Sequence, residues 1–243
     1  FPSAISAASA PLRLPWLRSR VDRMIGASVK KLRGPTSDAH VQKIFAGLAA
    51  TITPRCELEH KSVFELLVAV VLSAQCTDIN VNKATVKLFP VANTPQAILA
   101  LGVAGLTPYI RSIGLFNAKA KNVVGLSQLL IERHGGEVPR DHAALCALPG
   151  VGRKTANVVM NVWWGEPTIA VDTHAHRLAN RMGISRSKTP EQTELVLLAR
   201  VPDEFRRHAH SYLVLHGRYS CTARSPRCDA CPVAKWCPKI GVS

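Results

Sequence analysis

No apolar run in this 243-residue chain is longer than the "LLVAVVL" of Leu66 to Leu72. A helix needs about 20 such residues to cross a bilayer, so a membrane span is excluded. Acidic residues are scarce as well: 16 Asp and Glu stand against 31 Lys and Arg, giving a formal charge of +15. That imbalance argues for a polyanionic partner. Alternating apolar and polar residues around Asn-Gly or Asp-Gly turns, the mark of β-hairpins, are missing. So is any repeat of fixed period. Cysteine is present, but not as the even, dispersed set of a secreted disulfide framework. Four of the seven crowd together as Cys221, Cys228, Cys231 and Cys237, which implies a reducing compartment and one metal site.

Amphipathic helix is what remains. "VQKIFAGLAATI" and "AKNVVGLSQLLIERH" repeat apolar residues at three-to-four spacing. Thr94-Pro95 and Thr189-Pro190 predict helix starts. Gly102, Gly114, Gly135 and Gly183 predict helix ends. The pattern amounts to about ten helices without a sheet, an all-α fold. Residues 1–34 stand apart, with seven Lys or Arg against the single acid Asp22. A basic, disordered arm is the first reading of that segment; the remnant of an organelle-targeting sequence is the alternative.

Three groups of residues carry candidate chemistry. The cysteines have the spacing C-x6-C-x2-C-x5-C, with one close knuckle and wide outer loops. Structural zinc sites mostly use two knuckles, so the spacing favours a bulkier [4Fe–4S] cluster while leaving zinc as the rival. The loop "TARSPR" between the first two cysteines carries Arg224 and Arg227, which suit phosphate contacts. The stretch "LPGVGRKTANVV" reads as a turn entering a helix. Gly150 and Gly152 expose backbone N–H groups there, a nest for a phosphate. Arg153 and Lys154 then put positive charge at the helix end that is already positive, against the usual preference. That crowding favours a neutral, nucleophilic amine at Lys154, though a plain surface lysine fits the same residues. Asp172, in "AVDTH", is either an ordinary helix N-cap or a carboxylate at a pocket rim that accepts protons or stabilises a cation. His174 and His176 follow it.

Taken together, "LPGVGRKTANVV", "AVDTH", "LHGRYSC", "VLSAQCTD", "IGLFNAKAKN" and the cysteine spacing resemble the endonuclease III family of helix-hairpin-helix DNA glycosylases. The resemblance runs from about residue 40 to the end. It implies two lobes with damaged double-stranded DNA across the cleft between them. One is a six-helix barrel over residues 56–166, containing the hairpin at about 142–162. The other is an iron–sulfur lobe made of 35–55 and 167–243. It further implies that a damaged pyrimidine is flipped out of the duplex and that Lys154 attacks its sugar C1′. Asp172 would be the catalytic carboxylate, and Gln75 and Leu115 would fill the gap in the duplex. Asp78 and His174 are candidate pocket residues, and Arg153 is a candidate DNA contact. A [4Fe–4S] cluster on the four cysteines would be structural. A monomer in a bacterial cytoplasm, at the nucleoid, is the matching setting. The chain departs from the family pattern at Cys76, His176 and Trp163-Trp164, each expected to retune the pocket. A related adenine-removing glycosylase needs a carboxylate on the helix ending at Gln75, and none lies between Leu66 and Gln75. A noncatalytic DNA-binding protein would need neither Lys154 nor Asp172.

Overall fold

A computed structural model describes residues 29–242. Among them the helices are α1 (Asp38–Thr51), α2 (Val63–Leu72), α3 (Asp78–Leu88), α4 (Pro95–Ile110), α5 (Phe116–His134), α6 (His142–Cys146), α7 (Arg153–Trp164), α8 (Thr173–Arg181), α9 (Pro190–Arg200), α10 (Asp203–Arg206) and α11 (Ala209–Tyr219). A 3₁₀ turn at Ala234–Trp236 follows. The described residues contain no strand, only an isolated bridge between Arg33 and Ser185.

Two hydrophobic cores organise these helices. The first is built by α2 to α7 around α2, whose Leu66, Leu67 and Leu72 are fully buried. Each such leucine contributes about 2 kcal/mol by leaving water. Because α2 is apolar on every face, it becomes the central staff against which α3, α5 and α7 pack. Its one acid, Glu65, is buried but satisfied, accepting from the backbone N–H of Lys61 at 2.5 Å and from Asn93 at 3.3 Å. The second core joins α1, with Ile44, Phe45 and Leu48, to α8, α9, α11 and Val233 beside the 3₁₀ turn. The chain passes into the first core after α1 and returns to the second near Ile169, so the cleft between the cores is lined from both.

Three sequence expectations need correction. Residues 29–34, assigned to the basic arm, are folded: residues 29–32 are helical, Val29 is buried, and Gly34 N–H donates to Ile184 O at 3.0 Å. Residues 1–28 of that arm lie outside the described residues. Gly102 does not end a helix; it takes φ +61° at a kink inside α4. Gly114 lies in the turn after α4, whose C-cap is Arg111. Gly135 does cap α5, in the left-handed conformation, and Gly183 follows the Met182 cap of α8 with φ +65°.

Candidate active site

The turn between α6 and α7 is shaped by its two glycines in different ways. Gly150 has φ +75°, and a Cβ there would lie 2.9 Å from the side chain of Asn122. Gly152 is extended and caps α7 with no side chain, and a Cβ on it would meet nothing within 4 Å. No side chain closes the first turn of α7. In contrast, α1, α2, α3, α4, α8 and α9 all have their first turn closed by a Ser, Thr or Asp side chain. An open positive helix end is a ready anion site.

Arg153 has an internal use that the sequence concealed. Its guanidinium forms a bidentate pair with Glu194, Nε and Nη2 each donating at 2.9 Å, and Asn157 Nδ2 adds a third bond to the same carboxylate at 3.0 Å. The residue expected to contact DNA is thus paired with Glu194 of α9. The Glu194 side chain is only 8% exposed, while that of Arg153 is 55% exposed. Replacing Arg153 by Ala leaves a buried carboxylate with one donor. Stability is expected to fall by about 1–2 kcal/mol, less than for a fully buried pair because one partner is half in water. Urea unfolding checks this, and an unchanged midpoint would refute the pair's role. The double variant Arg153→Ala/Glu194→Gln should recover part of the loss.

Lys154, next along α7, is exposed and takes no hydrogen bond or ion pair among the described residues. It lines a cleft pocket of about 150 Å³ with Asp172, Asp78, Glu57, His210 and Arg218, and no other lysine lines it. Asp172 is both of the things its position allowed. Its Oδ1 caps α8 by accepting from the Ala175 N–H at 2.8 Å, and the residue still lines the pocket. Arg218 closes another side, donating to Glu57 at 2.5 Å and to Asp78 at 2.6 Å, so α11 is pinned to the start of α3 and to the segment before α2. Burial works to raise the Glu57 pKa, but hydrogen bonds from Tyr219 and Arg218 outweigh it and hold the carboxyl below its usual range. Burial pushes the His210 pKa down, favouring the neutral ring. Its Nδ1–H donates to Ala170 O at 2.8 Å.

The structure thus brings Lys154, Asp172 and Asp78 together. His174 it does not: that side chain packs against Gly217, with its Nδ1 3.4 Å from Arg177, away from the pocket lining. Nor do Cys76, His176 and Trp163-Trp164 line the pocket. His176 bonds Thr193 Oγ1 at 2.7 Å, and Trp163 lies beside His60. Glu57, His210 and Arg218 were missed. Arg218 could have been found, since it sits in "LHGRYSC"; the other two carry no local signal.

Gln75 and Leu115 lie on exposed turns at the ends of α2 and the start of α5, with φ of +53° and +60°. Left-handed backbone costs a non-glycine residue about 1–2 kcal/mol, and such strain concentrates at working sites. Leu115 is 61% exposed, the reverse of what a leucine gains from folding.

The four clustered cysteines are all half-buried and ring one recess with Arg181, Met182 and His216. Among the described residues, no three ligand side chains converge closely enough for a single metal ion. Four thiols around one recess suit an iron–sulfur cluster, which takes four Cys ligands. Donors already point at the sulfurs: Arg181 Nη1 lies 3.4 Å from Cys221 Sγ, and the Lys239 N–H lies 3.4 Å from Cys237 Sγ. Ligated sulfurs in iron–sulfur sites accept such bonds. Arg181 also holds the carbonyls of Thr222 and Ala223, stiffening the loop that presents the exposed Arg224 and Arg227.

The model of the HhH-GPD superfamily base excision DNA repair protein matches residues 68–203, and that of the iron-sulfur binding domain of endonuclease III matches 221–237. Endonuclease III of Escherichia coli (strain K12) is 58% identical over 184 residues, covering 76% of this chain and 87% of that protein. The chain belongs to the endonuclease III family. The endonuclease III of Treponema pallidum (strain Nichols) is 54% identical over 203 residues, 83% of this chain and 96% of that one. A trapped endonuclease III–DNA covalent intermediate shares the fold with a TM-score of 0.79 and 43% identity, covering 84% of this chain and 96% of its own. A thermostable thymine-DNA glycosylase follows at 0.70 and 25% identity, with 83% and 94% covered. No helix of the described residues is long and apolar enough to cross a membrane.

Proposed function

We propose that this member of the endonuclease III family removes oxidised pyrimidines from damaged double-stranded DNA and then cleaves the strand 3′ to the abasic site, working as a monomer at a bacterial nucleoid. Family membership makes it a bifunctional DNA glycosylase and AP lyase. The single observation that carries the chemistry is Lys154, unpartnered, in a pocket it shares with the Asp172 carboxylate. The base is reached by flipping, since its sugar carbon is inaccessible in the stack. Two exposed turns, at Gln75 and Leu115, stand ready to occupy the gap. A pocket of about 150 Å³ suits one six-membered ring.

The Lys154 amine attacks C1′ as the glycosidic bond breaks, and the departing base takes its proton from water. Asp172 takes the proton lost by the amine and stabilises the cationic character of the sugar. The sugar ring opens to a Schiff base on Lys154. Loss of a proton from C2′ then expels the 3′ phosphate, and water releases the amine. Gly150, Gly152 and the open end of α7 hold backbone phosphate without reading sequence, and Arg224 and Arg227 add contacts from the loop. Cys221, Cys228, Cys231 and Cys237 hold a [4Fe–4S] cluster, which supplies a rigid anchor for that loop and takes no part in bond cleavage. The lobes divide at about residues 55/56 and 166/167, a division supported by the two cores.

The test is a duplex carrying one thymine glycol, beside its undamaged counterpart. Free damaged base plus a strand break 3′ to the site is the expected result. Base release without cleavage would reject the lyase assignment, and neither product would reject the lesion class.

A further inference from the structure

The start of α5 shares the anomaly of α7. Its cap is Leu115, which offers no side-chain hydrogen bond, and its first turn holds no acid. The first α5 amide to find a backbone acceptor is that of Lys119, to Leu115 O at 3.0 Å, so the N–H groups of Phe116, Asn117 and Ala118 precede the ladder. Behind them stands a buried lysine. Lys119 is 4% exposed, and its Nζ has no hydrogen-bond partner among the described residues. Helical side chains lean toward the N-terminus, which carries this ammonium back under the Leu115 turn. The thiol of Cys76, next to Gln75 on the other strained turn, is near enough to interact with its charge.

A buried ammonium with no hydrogen-bond partner among the described residues is a standing cost to the fold. A state that brings a negative charge close lowers that cost. We propose that the N-terminus of α5 is a second backbone-phosphate site of the DNA interface, formed by the N–H groups of Phe116, Asn117 and Ala118 with Lys119 as the fixed positive charge behind them. The phosphate is one that flanks the gap filled by Leu115, because these three amides directly follow the inserted residue. The inference therefore rests on the reading of Leu115 as a gap filler. Lys119 is a positioning residue here: it fixes the strand beside the gap, and its charge is screened less than that of a surface lysine.

The experiment uses the full-length holoprotein and a duplex with a stable abasic analogue, with binding measured across a range of salt. Lys119→Met should lower the slope of log affinity against log salt by about 0.9, the signature of one lost phosphate contact. Its melting temperature should rise, which a merely structural lysine would not produce. Asn117→Asp, on the exposed first turn, places a carboxylate where helices ordinarily welcome one, so it should fold while weakening binding. Methylphosphonates placed one at a time beside the gap should reveal a position that weakens the parent several-fold and Lys119→Met clearly less. An unchanged salt slope in both variants, or the same methylphosphonate penalties in parent and variant, would overturn the proposal. Borohydride trapping of the parent on an abasic site reports the Lys154 chemistry separately. Its absence from the parent would instead reject the proposed chemistry and leave the binding result standing.

Discussion

Lys154→Gln is expected to yield no covalent adduct when incubated with a thymine glycol duplex and borohydride, under conditions where the parent is trapped. Borohydride reduces the Schiff base to a stable amine, so it reports the bond between Lys154 and the sugar. Glutamine keeps most of the side chain's volume but has no basic nitrogen to form an imine. Base release should fall on the order of a thousandfold or more, the scale seen when a covalent nucleophile is removed. Folding should be nearly untouched. Lys154 is exposed and makes no contact that its loss would orphan, so the change in stability should stay within about 0.5 kcal/mol. Lesion binding should also survive within a few-fold, because the hairpin amides and the arginine loop are intact. A trapped adduct from the variant would mean that another amine is the nucleophile. With no second lysine lining the pocket, that outcome would also require a different base-binding site.

How far the sequence could be read depended on whether a residue's role was local. Helix starts at Thr94 and Thr189 are written in adjacent residues, and both hold, with each hydroxyl accepting the amide three residues on. The glycine stops are local as well but ambiguous. Gly135 and Gly183 take positive φ at or just past a helix end, whereas Gly102 uses the same freedom to bend α4 and continue. The site shows the same division. Lys154 and Asp172 sit in short motifs and fall on one pocket. The pairing of Arg153 was not legible because its partner, Glu194, is distant in sequence. The charge crowding proposed for Lys154 is correspondingly reduced, since one of its two sources is paired away. Glu57 and His210 reach the pocket only through tertiary packing, and nothing in their neighbourhoods announces it. The folded residues 29–34 were hidden by composition: a basic segment looks solvated until Leu32 and Gly34 are seen bonded to the turn after α8.

Asp172→Asn separates the two duties that this aspartate performs at once. Asparagine is as good an N-cap as aspartate, and its amide oxygen can accept the Ala175 N–H that Oδ1 accepts at 2.8 Å. The negative charge disappears, and with it the acceptor for the lysine's proton and the counter-charge for the sugar cation. Base release should therefore drop on the order of a hundredfold, within the range for a positioned acid–base group, while the melting temperature stays close to that of the parent. Asp172→Ala removes the cap as well and should cost about 1 kcal/mol of stability in addition to the same loss of rate. The comparison is decisive because the two variants differ in only one of the two functions. If Asp172→Asn retains full activity and only Asp172→Ala is impaired, the carboxylate is an ordinary cap and its place in the pocket is incidental. If both lose rate equally but only Ala loses stability, the helix start and the chemistry draw on one side chain. That economy has a geometric reason. An N-cap carboxylate is fixed by a backbone amide before any substrate arrives, so the charge at the rim meets the flipped nucleotide already oriented, with little left to reorganise in the transition state.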